Sequence, residues 1–353
     1  MKEPRNPFRL RASEHIESDT TFLHLFGPGM LDLLPKERLL ENVRILRSAP
    51  GGGKTSLMRL FTPSVLLTLH AYRARDECRE LYQRMQELGV IDESGPRLLG
   101  VMLSCARNYA ALADMGFDQG RQERLLFGLL NARIVLATLR GALALKGHAY
   151  PGDLYRLSIV PSPVAEPPPG VLLPCSGKEI YDWAMRLETM VCEALDSFGS
   201  PRVESLPGHD TLMSLMFMRP ESITLDGSPV AERMLLLLDD VNKLSNLQRQ
   251  LLLQTVIDLR SPTGIWVAER FEALSADEML SSGATEGRDY ESVIPLEQVW
   301  RGKKKQFEKL VLNIADRRAR SAADVEIRSF GSCLQDSLTE QNGSRRLCTP
   351  LMS

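Results

Sequence analysis

The sequence predicts an α/β fold, a parallel sheet flanked by helices, and three stretches predict it. Val43-Arg44-Ile45-Leu46 runs into a glycine-rich loop, Met234-Leu235-Leu236-Leu237-Leu238 runs into Asp239-Asp240, and Ile265-Trp266-Val267-Ala268 runs into Glu269-Arg270. Short apolar runs suit strands covered on both faces, the environment of a parallel sheet. Each run also delivers polar residues at its C-terminal end, the edge at which open α/β sheets collect ligands.

Taken in order, residues 1–40 read as an N-terminal helical segment, in which Ser18 or Asp19 caps a short helix through Phe26 and Gly27-Pro28-Gly29 breaks it. The core, residues 41–300, opens with the first strand and then Arg47-Ser48-Ala49-Pro50-Gly51-Gly52-Gly53-Lys54-Thr55-Ser56. Gly51, Gly52 and Gly53 let the backbone approach a ligand with no Cβ in the way, Lys54 supplies an ammonium and Thr55 a hydroxyl. This is the order of groups in the phosphate-binding loop G-x-x-x-x-G-K-[ST], with Ser48 in place of the first glycine. Serine is small, so only the tightness of the first turn is at stake. A helix over residues 56–61 follows, closed near Pro63, and its N-terminal dipole and unpaired N–H groups favour an anion at the same place. Ser48, Pro50, Gly51, Gly52, Gly53, Lys54, Thr55 and Ser56 are therefore the expected nucleotide-binding residues.

Cys78, Leu81, Tyr82, Met85 and Leu88 recur at helical spacing before Gly89 ends their helix. Residues 98–103 read as a buried strand, residues 121–146 as a helix apolar around most of its circumference, and residues 154–160 as a further strand before a proline-rich loop. Ser176 with Glu179, and Ser245 with Gln248, form capping boxes that open two more helices. The chain between Thr55 and Asp239 far exceeds the ~30 residues of a simple βαβ unit. A large, mainly helical insertion is expected over residues 64–230. Beyond the core, Phe307, Leu310, Val311 and Ile314 mark one amphipathic helix within residues 301–320. Residues 321–353 show no periodicity and read as a disordered, truncated or divergent tail.

The 353 residues carry 43 basic and 45 acidic side chains, so no global field points to nucleic acid or to an anionic membrane. Six scattered cysteines argue for a reduced, cytoplasmic chain without structural zinc. The first residues are charged and lack the apolar core of a signal peptide. The most apolar run, residues 125–145, is interrupted by Asn131, Arg133 and Arg140, which suits a buried helix rather than a membrane span. The five histidines are dispersed and form no hydrolase triad.

On residues 48–55, 235–240 and 266–270, and more loosely on Gly287-Arg288-Asp289-Tyr290, the chain resembles the AAA+ and related STAND branches of the P-loop NTPases. The resemblance is greatest to bacterial proteins similar to origin-recognition-type initiator ATPases. Asn6-Pro7-Phe8 and Phe22-Leu23 are similar to the leading segment of such proteins. The resemblance implies ATP and Mg2+ as ligands, with Thr55 and Asp239 holding the metal. It implies that Asp240, one methylene shorter than the usual glutamate, polarises the attacking water, so that hydrolysis is slow. Arg270 becomes a γ-phosphate sensor on a strand lying between the loop strand and the acidic strand. Arg288 is either a finger offered to a neighbouring subunit or a surface arginine paired with Asp289. The family's C-terminal lid has several helices; here a single one is legible, so the lid is expected to be incomplete.

The leading functional expectation is an ATP-driven switch or assembly ATPase, acting with a protein partner or as a homo-oligomer in a bacterial defence or DNA-transaction system. A nucleotide-stabilised scaffold with negligible turnover is the alternative. A small-molecule P-loop kinase is disfavoured by the Asp239-Asp240 pair and the following Arg270, and Asn242-Lys243-Leu244-Ser245 does not complete the N-K-x-D motif of GTP-binding proteins.

Overall fold

A computed structural model describes residues 18–35, 38–106, 108–161, 166–196, 208–270, 290–291 and 293–321. Asn6-Pro7-Phe8, Arg288 and the tail beyond residue 321 lie outside the described residues.

Ser18 accepts a hydrogen bond from the Thr21 N–H and so opens α1 (Asp19–Leu25), as the capping residue predicts. A 3-10 turn at Pro28–Leu33 follows, then β1 (Val43–Ser48), buried along its whole length. The glycine loop leads into α2 (Lys54–Arg59). Pro63 closes that helix but also opens another, α3 (Pro63–Ala71), where its missing N–H costs nothing at the first helical position. Next come α4 (Asp76–Glu87), a short hairpin of β2 (Ile91–Asp92) and β3 (Gly95–Pro96), then β4 (Leu98–Ser104) and α5 (Gln119–Leu145). The Asp118 side chain caps α5.

After α5 the chain leaves the main sheet through β5 (Leu157–Ile159), β6 (Cys175–Ser176), α6 (Gly177–Asp196), α7 (Ser214–Phe217), β7 (Ile223–Leu225) and β8 (Ser228–Pro229). It returns as β9 (Arg233–Asp239), α8 (Asn246–Asp258), β10 (Gly264–Arg270), β11 (Ile294–Pro295), α9 (Leu296–Gly302) and α10 (Lys304–Ser321). Both capping boxes form, at Ser176 with Glu179 and at Ser245 with Gln248.

The main sheet has the order β11-β1-β10-β9-β4, and every pairing in it is parallel. The chain is thus α/β with a central parallel sheet flanked by helices. Alternate residues feed two apolar layers. Ile45, Val101, Leu236 and Val267 join α5, α6 and α8 on one face. Leu46, Leu98, Leu237 and Trp266 join α1, α2, α3 and α4 on the other. Trp266 is fully buried, donates from its indole to the Leu39 carbonyl at 3.1 Å and meets the Phe61 ring edge-on.

The expected bounds of the insertion need correction. The insertion does not run from 64 to 230, because β4 is an integral strand beside β9 and α5 packs on it. What leaves the sheet is the chain between α5 and β9. As expected, helix outweighs strand in that excursion, through the 20-residue α6, but it also carries a four-stranded antiparallel sheet, β6-β5-β7-β8, that the sequence did not reveal. Its strands are only two or three residues long, too short for a period-2 pattern to show in sequence. Residues 154–160 split accordingly into a 3-10 turn and β5.

The C-terminal amphipathic helix has a partner that sequence reading did not supply. Leu310 and Ile314 of α10 fill the space over Gly27, where a Cβ would lie 2.4 Å from the Leu310 Cδ1. The Arg317 guanidinium donates to the carbonyls of Leu23, His24 and Phe26 at the end of α1, satisfying carbonyls that a helix C-terminus leaves open. The apolar stripe is only half covered, since Phe307 and Val311 stay 43% and 45% exposed. Among the described residues one helix, α5, is long and apolar enough to cross a membrane, and 78% of its most apolar stretch is buried within the fold, as the interruptions by Asn131 and Arg133 foretold.

Candidate functional site

At the C-terminal edge of the sheet, β1 turns through Ala49–Gly53 into α2. Gly51 and Gly53 both take the left-handed backbone region, with φ of 83° and 87°, which a side chain disfavours. The Gly52 N–H closes the turn on the Ala49 carbonyl at 3.1 Å. The substituted first position, Ser48, is buried in this turn. A Cβ on Gly52 would lie 2.4 Å from the Ser48 Oγ, so glycine at 52 makes room for the serine at 48. The hydroxyl donates to the Ala49 carbonyl and accepts from the Lys54 ammonium at 2.6 Å, and that ammonium also donates to the Ser48 carbonyl at 2.8 Å. Serine here is accommodated by a neighbouring glycine and adds a ligand for the lysine.

The acids of β9 arrive from across the sheet. Asp239 is buried, and its carboxylate accepts from the Thr55 hydroxyl and, at 2.9 Å, from the Asp240 N–H. Burial raises the Asp239 pKa from its ordinary value, and the Thr55 hydrogen bond opposes that rise. Burial likewise lowers the Lys54 pKa, against the stabilising charges of Glu297 and Asp239. Asp240 follows with a left-handed backbone, φ 57°, which turns its carboxylate to the end of β4, where Ser104 Oγ lies 3.4 Å away. The Cys105 N–H binds the Asp239 carbonyl at 2.8 Å, and burial first, then the two acids, push the Cys105 thiol up to about 12. It is an inert structural thiol.

Between β1 and β9 lies β10, and its register sets Glu269 beside Arg47 and Arg270 beside Ser48. Glu269 is fully buried, held by Arg47 at 2.6 Å and by Arg249 of α8 at 3.5 Å. This triad ties the loop strand, the middle strand and the helix after the acids. Arg270 is exposed at the strand end and close enough for its charge to act on Lys54. The structure thus brings together Ser48, Lys54, Thr55, Asp239, Asp240 and Arg270. Pro50 and Ser56 lie in the loop and the first turn of α2.

Sequence reasoning missed Ser104, Arg47, Arg249 and Glu297. Ser104 stands one residue beyond the apolar run that marked β4. Glu297, in the first turn of α9, accepts from the Ala49 N–H at 2.6 Å. No local pattern points at it.

The Thr55 hydroxyl and Asp239 carboxylate are two hard oxygen donors in contact, a pair that fits Mg2+, which takes one or two protein oxygens and completes its shell with phosphate and water. No cluster of three His, Cys, Asp or Glu suited to an all-protein metal site occurs among the described residues. Compared with protein-family models, curated proteins and solved structures, the chain finds no match in any of the three.

Proposed function

We propose that the chain binds ATP with Mg2+ and hydrolyses it slowly, as an AAA+-like P-loop switch or assembly ATPase. The observation that carries this reading is the convergence of Lys54, the Thr55–Asp239 contact, Asp240 and Arg270 at one edge of a sheet whose middle strand lies between loop strand and acidic strand. The loop N–H groups and the N-terminus of α2 bind phosphate oxygens. Lys54 is the point charge for the β and γ phosphates, and its tether to Ser48 keeps it at the mouth of the loop. Thr55 and Asp239 hold the Mg2+, which neutralises charge on the transferred phosphoryl group when bound. Asp240 accepts the proton of the attacking water and Arg270 stabilises negative charge on the γ-phosphate. A protein partner or self-assembly, with Arg288 as a trans-acting finger, belongs to the same proposal.

The test is a titration with a fluorescent ATP analogue. Lys54→Ala is expected to weaken binding on the order of 100-fold, the scale of losing charged hydrogen bonds to phosphate. Equal affinity of the two proteins would sink the reading. A scaffold with negligible turnover is favoured by one observation, the short Asp240 side chain held on a left-handed residue beside Ser104. Release of inorganic phosphate from ATP in water separates the two.

A further inference from the structure

Glu297 belongs to no motif in the sequence, yet its carboxylate lies on the phosphate loop. Its Oε1 accepts from the Ala49 N–H at 2.6 Å, the short length of a charge-assisted bond. The same oxygen lies 3.0 Å from where a Cβ on Gly52 would stand, which places it against the inner turn rather than at its rim. Its Oε2 is buried without a hydrogen-bond partner among the described residues. A carboxylate oxygen in that condition loses its water and gains nothing in exchange. Among the charges acting on Lys54, that of Glu297 is the largest. The position is imposed by the fold: Pro295 is the register partner of Arg47, so the first turn of α9 must stand beside the start of the loop.

We propose that Glu297 is an affinity-setting residue of the phosphate loop, a carboxylate that competes with incoming polyphosphate for the loop and for Lys54. This rests on the nucleotide reading above. An anion bringing several negative charges to Lys54 meets a like charge in a half-buried site, where Coulomb repulsion is only partly screened. The repulsion weakens binding in proportion to phosphate charge. It also drives the side chain, and α9 behind it, away from Ala49. The nucleotide-binding loop and the C-terminal helices α9 and α10 are coupled in this way through one side chain.

Glu297→Gln is the discriminating variant, because an amide oxygen still accepts from the Ala49 N–H while the charge is gone. Titrations of wild type and E297Q with ATP, ADP and inorganic tripolyphosphate, each with Mg2+, read the effect, and thermal melts confirm that both proteins are folded. The expected result is binding about tenfold tighter in E297Q for ATP and for tripolyphosphate, with a smaller gain for ADP. Unchanged or weaker ATP binding in E297Q, with wild type binding normally, overturns the inference and leaves the nucleotide reading standing. A gain confined to ATP and absent for tripolyphosphate also overturns it, since Glu297 would then act on the base. No binding of any of the three ligands by either protein overturns the nucleotide reading, and this inference falls with it.

Discussion

Lys54 and Asp239 carry opposite charges, each moved from its ordinary pKa by burial toward the neutral form. Asp239 makes this measurable without any ligand. Its folded-state pKa is raised above the ordinary 3.8, so the native state holds the proton longer than the unfolded chain. Stability from this group is complete below the unfolded value and falls as pH rises through the folded one. Asp239→Asn removes the cost of the buried charge, and should raise the melting temperature of the ligand-free protein at neutral pH by a few degrees. The gain should shrink toward zero as pH drops below about 4, where both states of the wild type are protonated. Melts across that range check it; a gain independent of pH would contradict the assignment to charge. Asp240→Asn differs in kind. It should leave ATP affinity nearly intact and reduce steady-state phosphate release about 100-fold, because an amide cannot take a proton from water. Unchanged release would move the base elsewhere.

Elements meet at this site through close backbone approaches. β4 crosses the junction of α2 and α3 at Gly100, where a Cβ would lie 1.9 Å from the Phe61 carbonyl oxygen. Neither side of that contact is a flexible side-chain end, so the strand or the helix junction must shift. Gly100→Ala is expected to cost about 3 kcal/mol. A urea transition with a lowered midpoint and an unchanged slope would report that loss; an unmoved midpoint would show that the junction yields freely. The consequence reaches the site, since α2 begins at Lys54. Helix termini tell a complementary story. Ser18, Asp118, Ser176 and Ser245 all cap as their side chains dictate, because capping needs only residues within one turn. The partner of α10 needs Gly27 and the carbonyls of α1, nearly three hundred residues away along the chain.

In the whole molecule, one apolar layer runs without a break from the main sheet through α5 into α6 and the small antiparallel sheet, taking in Ile45, Val101, Leu130, Leu187 and Ile223. The excursion between α5 and β9 therefore shares its core with the sheet. Thermal unfolding is expected to be a single transition, coincident by far- and near-ultraviolet circular dichroism. Two separated transitions would show that the excursion is an independent unit.

The sequence by itself determined the strands that carry the site, the glycine loop, the two capping boxes and the buried character of α5. These depend on runs of residues close enough for apolarity, spacing and capping chemistry to act within a turn or a strand. Ser48, Lys54, Thr55, Asp239, Asp240 and Arg270 were legible for the same reason: each stands at the end of a run that announces itself. Only the tertiary structure decided the reach of the main sheet to β4, the antiparallel sheet of the excursion, the covering of α10 by the N-terminal segment, and the Arg47–Glu269–Arg249 triad. It alone set Glu297 on the loop. Those features join residues far apart in the chain, and a two-residue strand or a lone acid has no period by which sequence could reveal its partner.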